Sequence, residues 1–265
     1  FNNYIISLFS EAVVKIILLV VLVSAGWAVA GAIVGLLSGI VFSLLSTRIS
    51  LAKYLSGKRG KKPDLLPLVK YSVPVFIQGV AMTSMYSVDL LLVKHFFSAH
   101  EAGTYASLAT LGRVALFATT PITQTMFPLV AQRFSQNKPY NAIFYSSLFL
   151  VLAISFAVIF VYKFFPDLPL GVLFGSEYLN GAPLLWWFGV FMSLLGISLL
   201  FVQFYLSVGK TKIVWLFVLA AIMQIVLIML FHSSLLTVIQ VSILSAALLT
   251  LSLIVYFPWH NRPVS

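Results

Sequence analysis

Apolar residues run along this chain in long blocks separated by short polar breaks. Eight blocks reach the about 20 residues that a helix needs to cross a bilayer: residues 4–23, 28–47, 72–97, 103–130, 141–164, 183–207, 213–231 and 235–257. The first two are the hardest to separate, because no charge falls between Lys15 and Arg48, a stretch too long for one ordinary span. The pattern predicts a break at SAGW, residues 24–27, where Gly26 supplies a turn and Trp27 suits an interface. SAHEA (98–102) predicts the turn between the third and fourth spans. The longest outward segment, FPDLPLGVLFGSEYLNGAP (165–183), mixes Pro, Gly and acid with Leu, Val and Phe, as a short helix lying in the membrane interface does. Trp186 and Trp187 follow it at headgroup depth, in an aromatic belt.

Composition supports this parsing. The 265 residues are 61% hydrophobic and 8% charged, with a mean hydropathy of +1.08, far from the quarter-charged norm of soluble domains. The fold class is therefore all-α, a polytopic membrane helix bundle of about eight spans. The absence of Cys excludes disulfide frameworks, thiolate metal sites and Cys nucleophiles. A formal charge of +10 could point to nucleic acid, but the basic residues lie in short loops beside apolar spans, where an anionic leaflet is the partner.

With eight spans both ends share one side of the membrane. That side holds Arg48, Lys53, Lys58, Arg59, Lys61, Lys62, Lys70, Arg133, Lys138, Lys210, Lys212 and Arg262, against Lys94 and Lys163 opposite. The positive-inside rule then places both termini in the cytoplasm of a cell inner membrane. LSGKRGKKPDLL (55–66) divides the chain into a two-helix part (1–47), a basic cytoplasmic linker (48–70) and a six-helix part (71–265). The chain opens on Phe1, without Met or a basic leader, and reads as a portion of a longer protein.

The charges inside spans carry the candidate chemistry. If SAHEA turns the chain, antiparallel helices bring Asp89 and Arg113 to one depth, each about 12 to 18 Å from the turn. An ionised side chain near a span centre costs about 2.5 to 3.5 kcal/mol, so neither group faces lipid. They form a structural bridge, line a wet cavity, or glue helices together. Arg113, Phe117, Thr120 and Gln124 recur at helical spacing, as do Gln78, Met82, Tyr86 (or Met85) and Asp89, which favours a polar cavity over a closed bridge. Pro121 removes a helix donor and predicts a kink near the middle of the fourth span.

Glu11 and Lys15 have the favourable i, i+4 order, read as local neutralisation with a proton or ion relay as the alternative. Gly31, Gly35 and Gly39 form GxxxGxxxG, which permits close helix packing.

Other motifs are negative. GKT at 209–211 lacks the earlier glycine of a phosphate loop, since position 204 is Phe, and it follows a membrane helix instead of a strand. It reads as a tight turn. His95, His100, His232 and His260 are scattered without HExxH or a carboxylate at ligand spacing. No acid, base and nucleophile converge, so neither an enzyme, a metal nor a cofactor is expected.

From about Tyr71 to Lys212 the chain resembles the polysaccharide exporters and lipid-linked oligosaccharide flippases of the multidrug/oligosaccharidyl-lipid/polysaccharide superfamily. The features that match are SVPVFIQ, then VDLLLVKHFFSAHEAGTYA with Asp89, Gly103 and Tyr105, MFPLVAQRF with Pro128, LFGSEYLNGAPLL and LSVGKTK, in that order. The resemblance implies two six-helix lobes around a central cavity, with alternating access; this chain would hold the last two helices of the first lobe and all six of the second. It also implies that Arg113 contacts the pyrophosphate of a polyprenyl-linked oligosaccharide and that Asp89 orients it, with Gln78, Tyr86, Thr120 and Gln124 lining the route. Two other functions compete: an ion-coupled multidrug or organic-cation antiporter in which Asp89 dominates, and a non-transport scaffold for glycosyltransferase or polymerase partners. Dye efflux driven by a cation gradient would distinguish the first, and crosslinking without a flux defect the second.

Overall fold

The computed structural model describes the backbone of residues 2–55 and 65–260 and the side chains of residues 9–48 and 65–257. Among these residues every regular element is helical. Lys58, Arg59, Lys61 and Lys62 of the basic linker, together with Arg262, lie outside the described residues, as do the side chains of Lys53 and His260. Seven stretches are long and apolar enough to cross a membrane: Phe9–Arg48, Leu66–Phe96, Ala99–Ser135, Asn141–Phe164, Ser176–Ser207, Thr211–Leu230 and Leu235–Phe257. The chain is a multi-pass helical membrane protein. It divides into two compact units, Phe1–Asp64 and Leu65–Ser265.

The first unit is a hairpin. Helix α1 (Asn2–Leu22) and helix α2 (Ala28–Leu55) are joined by a π turn, Val23–Trp27, in which Gly26 takes φ 87°, the left-handed region that glycine enters without a Cβ penalty. The single 40-residue apolar stretch is thus two antiparallel arms, broken where the sequence predicts. The arms touch through the glycine stripe. A Cβ on Gly35 would stand 2.8 Å from Leu19 Cα, and one on Gly39 would stand 3.0 Å from Lys15 Cβ. Towards the open end, Ser10 Oγ lies 3.4 Å from Ser46 Oγ. Lipid supplies no hydrophobic drive for helix association, so close van der Waals approach of small residues does this work.

The second unit contains helices α3 (Leu66–Met85), α4 (Val88–Phe96), α5 (Ala99–Ser135), α6 (Asn141–Phe164), α7 (Asp167–Phe174), α8 (Ala182–Ser207), α9 (Val214–Leu230) and α10 (Leu235–His260). Helix α8 is the centre, packed by α5, α6 and α10, while α9 lies between α10 and α3. Glycines set the closest approaches: Gly112 on α5 meets Phe188, Gly189 on α8 meets Tyr162, and Gly196 meets Thr119. Buried hydroxyls then tie helix to helix. Tyr162 Oη donates to the Leu111 carbonyl at 2.6 Å, Tyr205 Oη to that of Leu253 at 3.0 Å, and Ser198 Oγ lies 2.8 Å from Thr250 Oγ1.

Helix ends follow local chemistry. Ser98 and Glu101 form a reciprocal capping box that starts α5. After α8, Gly209 takes φ 77°, and Lys210 N–H donates to the Tyr205 carbonyl at 2.9 Å while Gly209 N–H donates to that of Leu206 at 3.0 Å, a Schellman closure. GKT is therefore a turn. The segment 165–183 forms α7 and a 3-10 turn, Ser176–Gly181; Leu170 is buried beneath it, while Leu168, Val172 and Leu173 are exposed. Lys163 Nζ lies 4.2 Å from the Trp186 ring centroid, and the Trp187 ring packs against it, tilted by 33°, at 4.0 Å. Helix α5 runs unbroken across Pro121 and Pro128. An interruption occurs in the preceding span, expected to be continuous over 72–97.

Candidate functional site

Helix α3 stops at Met85 and α4 starts at Val88, so a membrane span is cut near its middle by Tyr86 and Ser87. The bonds across the cut are long: Tyr86 N–H reaches the Met82 carbonyl at 3.4 Å and Ser87 N–H that of Ser84 at 3.2 Å. Interrupted backbone within hydrocarbon persists only where other groups satisfy it. Here two distant side chains do so. Arg113 Nη2, from α5, donates to the Tyr86 carbonyl at 3.0 Å. Gln224 Nε2, from α9, donates to the Met85 carbonyl at 3.0 Å and to Ser242 Oγ on α10 at 3.0 Å.

The far side of the cut carries the acid. Asp89 stands in the first turn of α4 and is fully buried. Its Oδ1 accepts from Leu90 N–H at 2.8 Å and its Oδ2 from Tyr105 Oη at 2.8 Å. Charge placement suits both half-helices: a guanidinium and an amide at the negative C-terminal end of α3, a carboxyl at the positive N-terminal end of α4.

The predicted residues fall into two groups. Gln78, Met82, Met85 and Asp89 are all buried, so Met85 completes the inner stripe. Tyr86 turns the other way: Arg113 Cζ lies 5.7 Å from its ring centroid, and its hydroxyl is 3.4 Å from Thr83 Oγ1. On α5, Arg113 and Thr120 are half-buried and Phe117 and Gln124 are exposed; Thr120 Oγ1 donates to the Leu116 carbonyl of its own helix at 2.9 Å. One stripe is packed between helices and the other follows an open face.

Asp89 and Arg113 do not form the closed bridge that was the alternative to a polar cavity; among the described residues the ion pair is Lys15–Glu11. The reason is register. Ser98 caps α5, so residues 99–102 are already helical and the hairpin turns earlier than SAHEA suggests. Asp89 therefore meets Tyr105, and Arg113, eight residues or about 12 Å further along α5, meets Tyr86. Glu11 Oε1 and Lys15 Nζ stand 3.1 Å apart under the close approach of Gly39, a closed local pair.

Sequence reasoning missed Gln224 and Ser242 and gave Tyr105 no role. Gln224 had a signal, as the single polar residue in VWLFVLAAIMQIVLIML. Tyr105 stood only as part of the motif VDLLLVKHFFSAHEAGTYA, and Ser242 had no signal apart from its partner.

Chemically, the site offers a guanidinium with capacity to spare. Arg113 Nη2 is engaged, its Nε–H is buried without a hydrogen-bond partner, and the residue as a whole is half-buried. A planar guanidinium presents paired donors matched to a phosphate or carboxylate. A family model described as polysaccharide biosynthesis protein matches residues 1–183, more than half of the chain. No curated protein and no solved structure matches significantly.

Proposed function

We propose, from the premise that the chain belongs to the polysaccharide biosynthesis protein family, that it moves a lipid-linked oligosaccharide or polysaccharide precursor across a membrane by alternating access, without covalent chemistry. The observation that carries this reading is the open face of α5, where Arg113, Thr120 and Gln124 are accessible within a membrane-length helix. Polar groups at that depth are expensive unless they meet water or a polar solute. A sugar headgroup is such a solute, and its polyprenyl tail can stay in lipid.

In this mechanism the half-buried Arg113 contacts the phosphate through its guanidinium, and Tyr86 flanks it through its ring and backbone. Thr120 and Gln124 continue the polar track. Asp89 and Gln78 act from the packed side: Asp89 locks α4 to α5 through Tyr105 and thereby sets where Tyr86 presents its carbonyl. The first unit supplies two helices of one lobe and the second unit the other lobe. The basic side faces the cytoplasm of an inner membrane.

Replacing Arg113 by Gln, Asp89 by Asn, and both together, and then measuring lipid-linked saccharide reaching the outer leaflet, tests this assignment. Loss of flux in the Arg113 variant supports it; undiminished flux in all three rejects it. One observation favours a second reading: Asp89 is a fully buried acid beside a helix break, a setting for proton exchange in an organic-cation antiporter. Proton-driven dye efflux that Asp89→Asn abolishes and Arg113→Gln leaves intact would select that reading.

A further inference from the structure

The end of the second unit at which α3 and α9 begin is basic. Among the described residues of this unit, Lys70, Arg133, Lys138, Lys210 and Lys212 gather there, while the acids Asp89, Glu101, Asp167 and Glu177 stand on the far side of the α3–α4 break. Three of the cations border one seam. Tyr71 Oη donates to the Leu206 carbonyl at 3.2 Å, and the 3-10 turn Thr211–Ile213 packs on α3, which brings Lys70 to the side of the turn that carries Lys210 and Lys212. Lys70 and Lys212 are exposed and in no ion pair.

An apolar groove of about 300 Å³ continues from this basic end between α3 and α9. Phe76, Val80 and Ile222 line it, exposed by 72%, 56% and 54%. Lys70, Ile77 and Ser84 follow one another at seven-residue steps, so the lysine belongs to the stripe of α3 that faces the groove. The two helices run in the same direction, since Gln224 near the end of α9 donates to Met85 at the end of α3. The seam therefore leads from the lysines towards the break.

We propose that this seam binds one anionic phospholipid of the surrounding leaflet, with its phosphate held by Lys70 and Lys212 and one acyl chain laid in the α3–α9 groove. Length fits the occupant. Along α3 the groove covers about 9 to 21 Å from Lys70, and half a bilayer, headgroups included, is about 20 to 22 Å thick. Charge selects the headgroup: both ammonium groups donate to phosphate, and their stems can follow the apolar surface while the heads stay at the headgroup level. An anionic leaflet draws every cation at this end; what singles out Lys70 and Lys212 is the groove that receives the chain. Its deep end reaches Ser84, whose carbonyl accepts Ser87 N–H across the break at 3.2 Å, so the lipid braces the same two helices that Gln224 joins. The site is independent of what the protein transports.

Native mass spectrometry of the full chain, titrated with lipid in detergent, tests this assignment. Phosphatidylglycerol should occupy one site about tenfold more tightly than phosphatidylcholine with the same acyl chains. Lys70→Gln with Lys212→Gln should remove about tenfold of that affinity, whereas Arg133→Gln with Lys138→Gln, an equal change of charge at the same end, should leave it within about twofold. Val218→Trp narrows the groove and should weaken phosphatidylglycerol several-fold, as should shortening both of its chains to hexanoyl.

Equal binding of the two lipids, or an equal loss in the Arg133 and Lys138 pair, overturns the proposal and leaves an ordinary lipid shell. Glycerol phosphate that competes as well as the whole lipid overturns it by removing the groove's part. A polyprenyl phosphate that binds this site more tightly than phosphatidylglycerol overturns it too, because the occupant is then cargo. If Val218→Trp fails to fold, the comparison of long and hexanoyl chains on the unaltered protein decides the role of the groove.

Discussion

The Tyr105 hydroxyl is the side-chain donor that reaches Asp89, a carboxyl with no solvent exposure. Removing it leaves Oδ2 buried and unpaired, which costs about 1–3 kcal/mol. Tyr105→Phe should therefore lower the thermal midpoint of the purified protein. The double variant Tyr105→Phe with Asp89→Leu should lose less than the two single losses combined, because the unpaired carboxyl is gone. Gln224→Leu strips a donor from both Met85 and Ser242; a destabilisation of about 1–2 kcal/mol is expected, and an unchanged midpoint would show that the break supports itself. At this scale the sequence was partly legible. Asp89 and Arg113 announce themselves as charges in apolar runs, but what each one touches depends on a cap at Ser98 that shifts the hairpin register.

At the scale of elements, two breaks in apolar stretches contrast. The one at Gly26 is visible in the sequence because length forbids a single span and a glycine marks the turn. The one at Tyr86–Ser87 has neither Gly nor Pro, and the side chains that hold it open lie 27 and 139 residues away. Pro121, where a kink was expected, sits in α5, which runs unbroken through it. The hairpin gives a direct test in a chain without cysteine background. Ser10→Cys with Ser46→Cys should form a disulfide, seen as a gel shift, since the two Oγ atoms are already 3.4 Å apart. Adding Gly35→Leu should abolish that crosslink, because its Cβ would meet Leu19 backbone at 2.8 Å and backbone cannot yield; a persistent crosslink would refute the glycine seam.

For the whole molecule, the run of apolar blocks announced a helical membrane protein, and the central position of α8 could not be read from those blocks, since the most apolar stretch is that of α9 and not that of α8. Small residues at the close contacts, Gly112, Gly189 and Gly196, distinguish it only once the partners are known. Charge asymmetry makes the topology prediction: a single Cys in place of Lys210 should react with an impermeant thiol reagent from the cytoplasmic side, and one in place of Ser176 from the other. Labelling of both from one side would reverse or break the assigned orientation. The cut in the α3–α4 span has one more consequence. Its two long backbone bonds, 3.4 and 3.2 Å, are the weak stitches in an otherwise tightly laced helix, so the amides of Tyr86 and Ser87 should take up deuterium well before their neighbours deep in the bilayer, making the middle of this span, rather than its ends, the first place where heavy water is recorded.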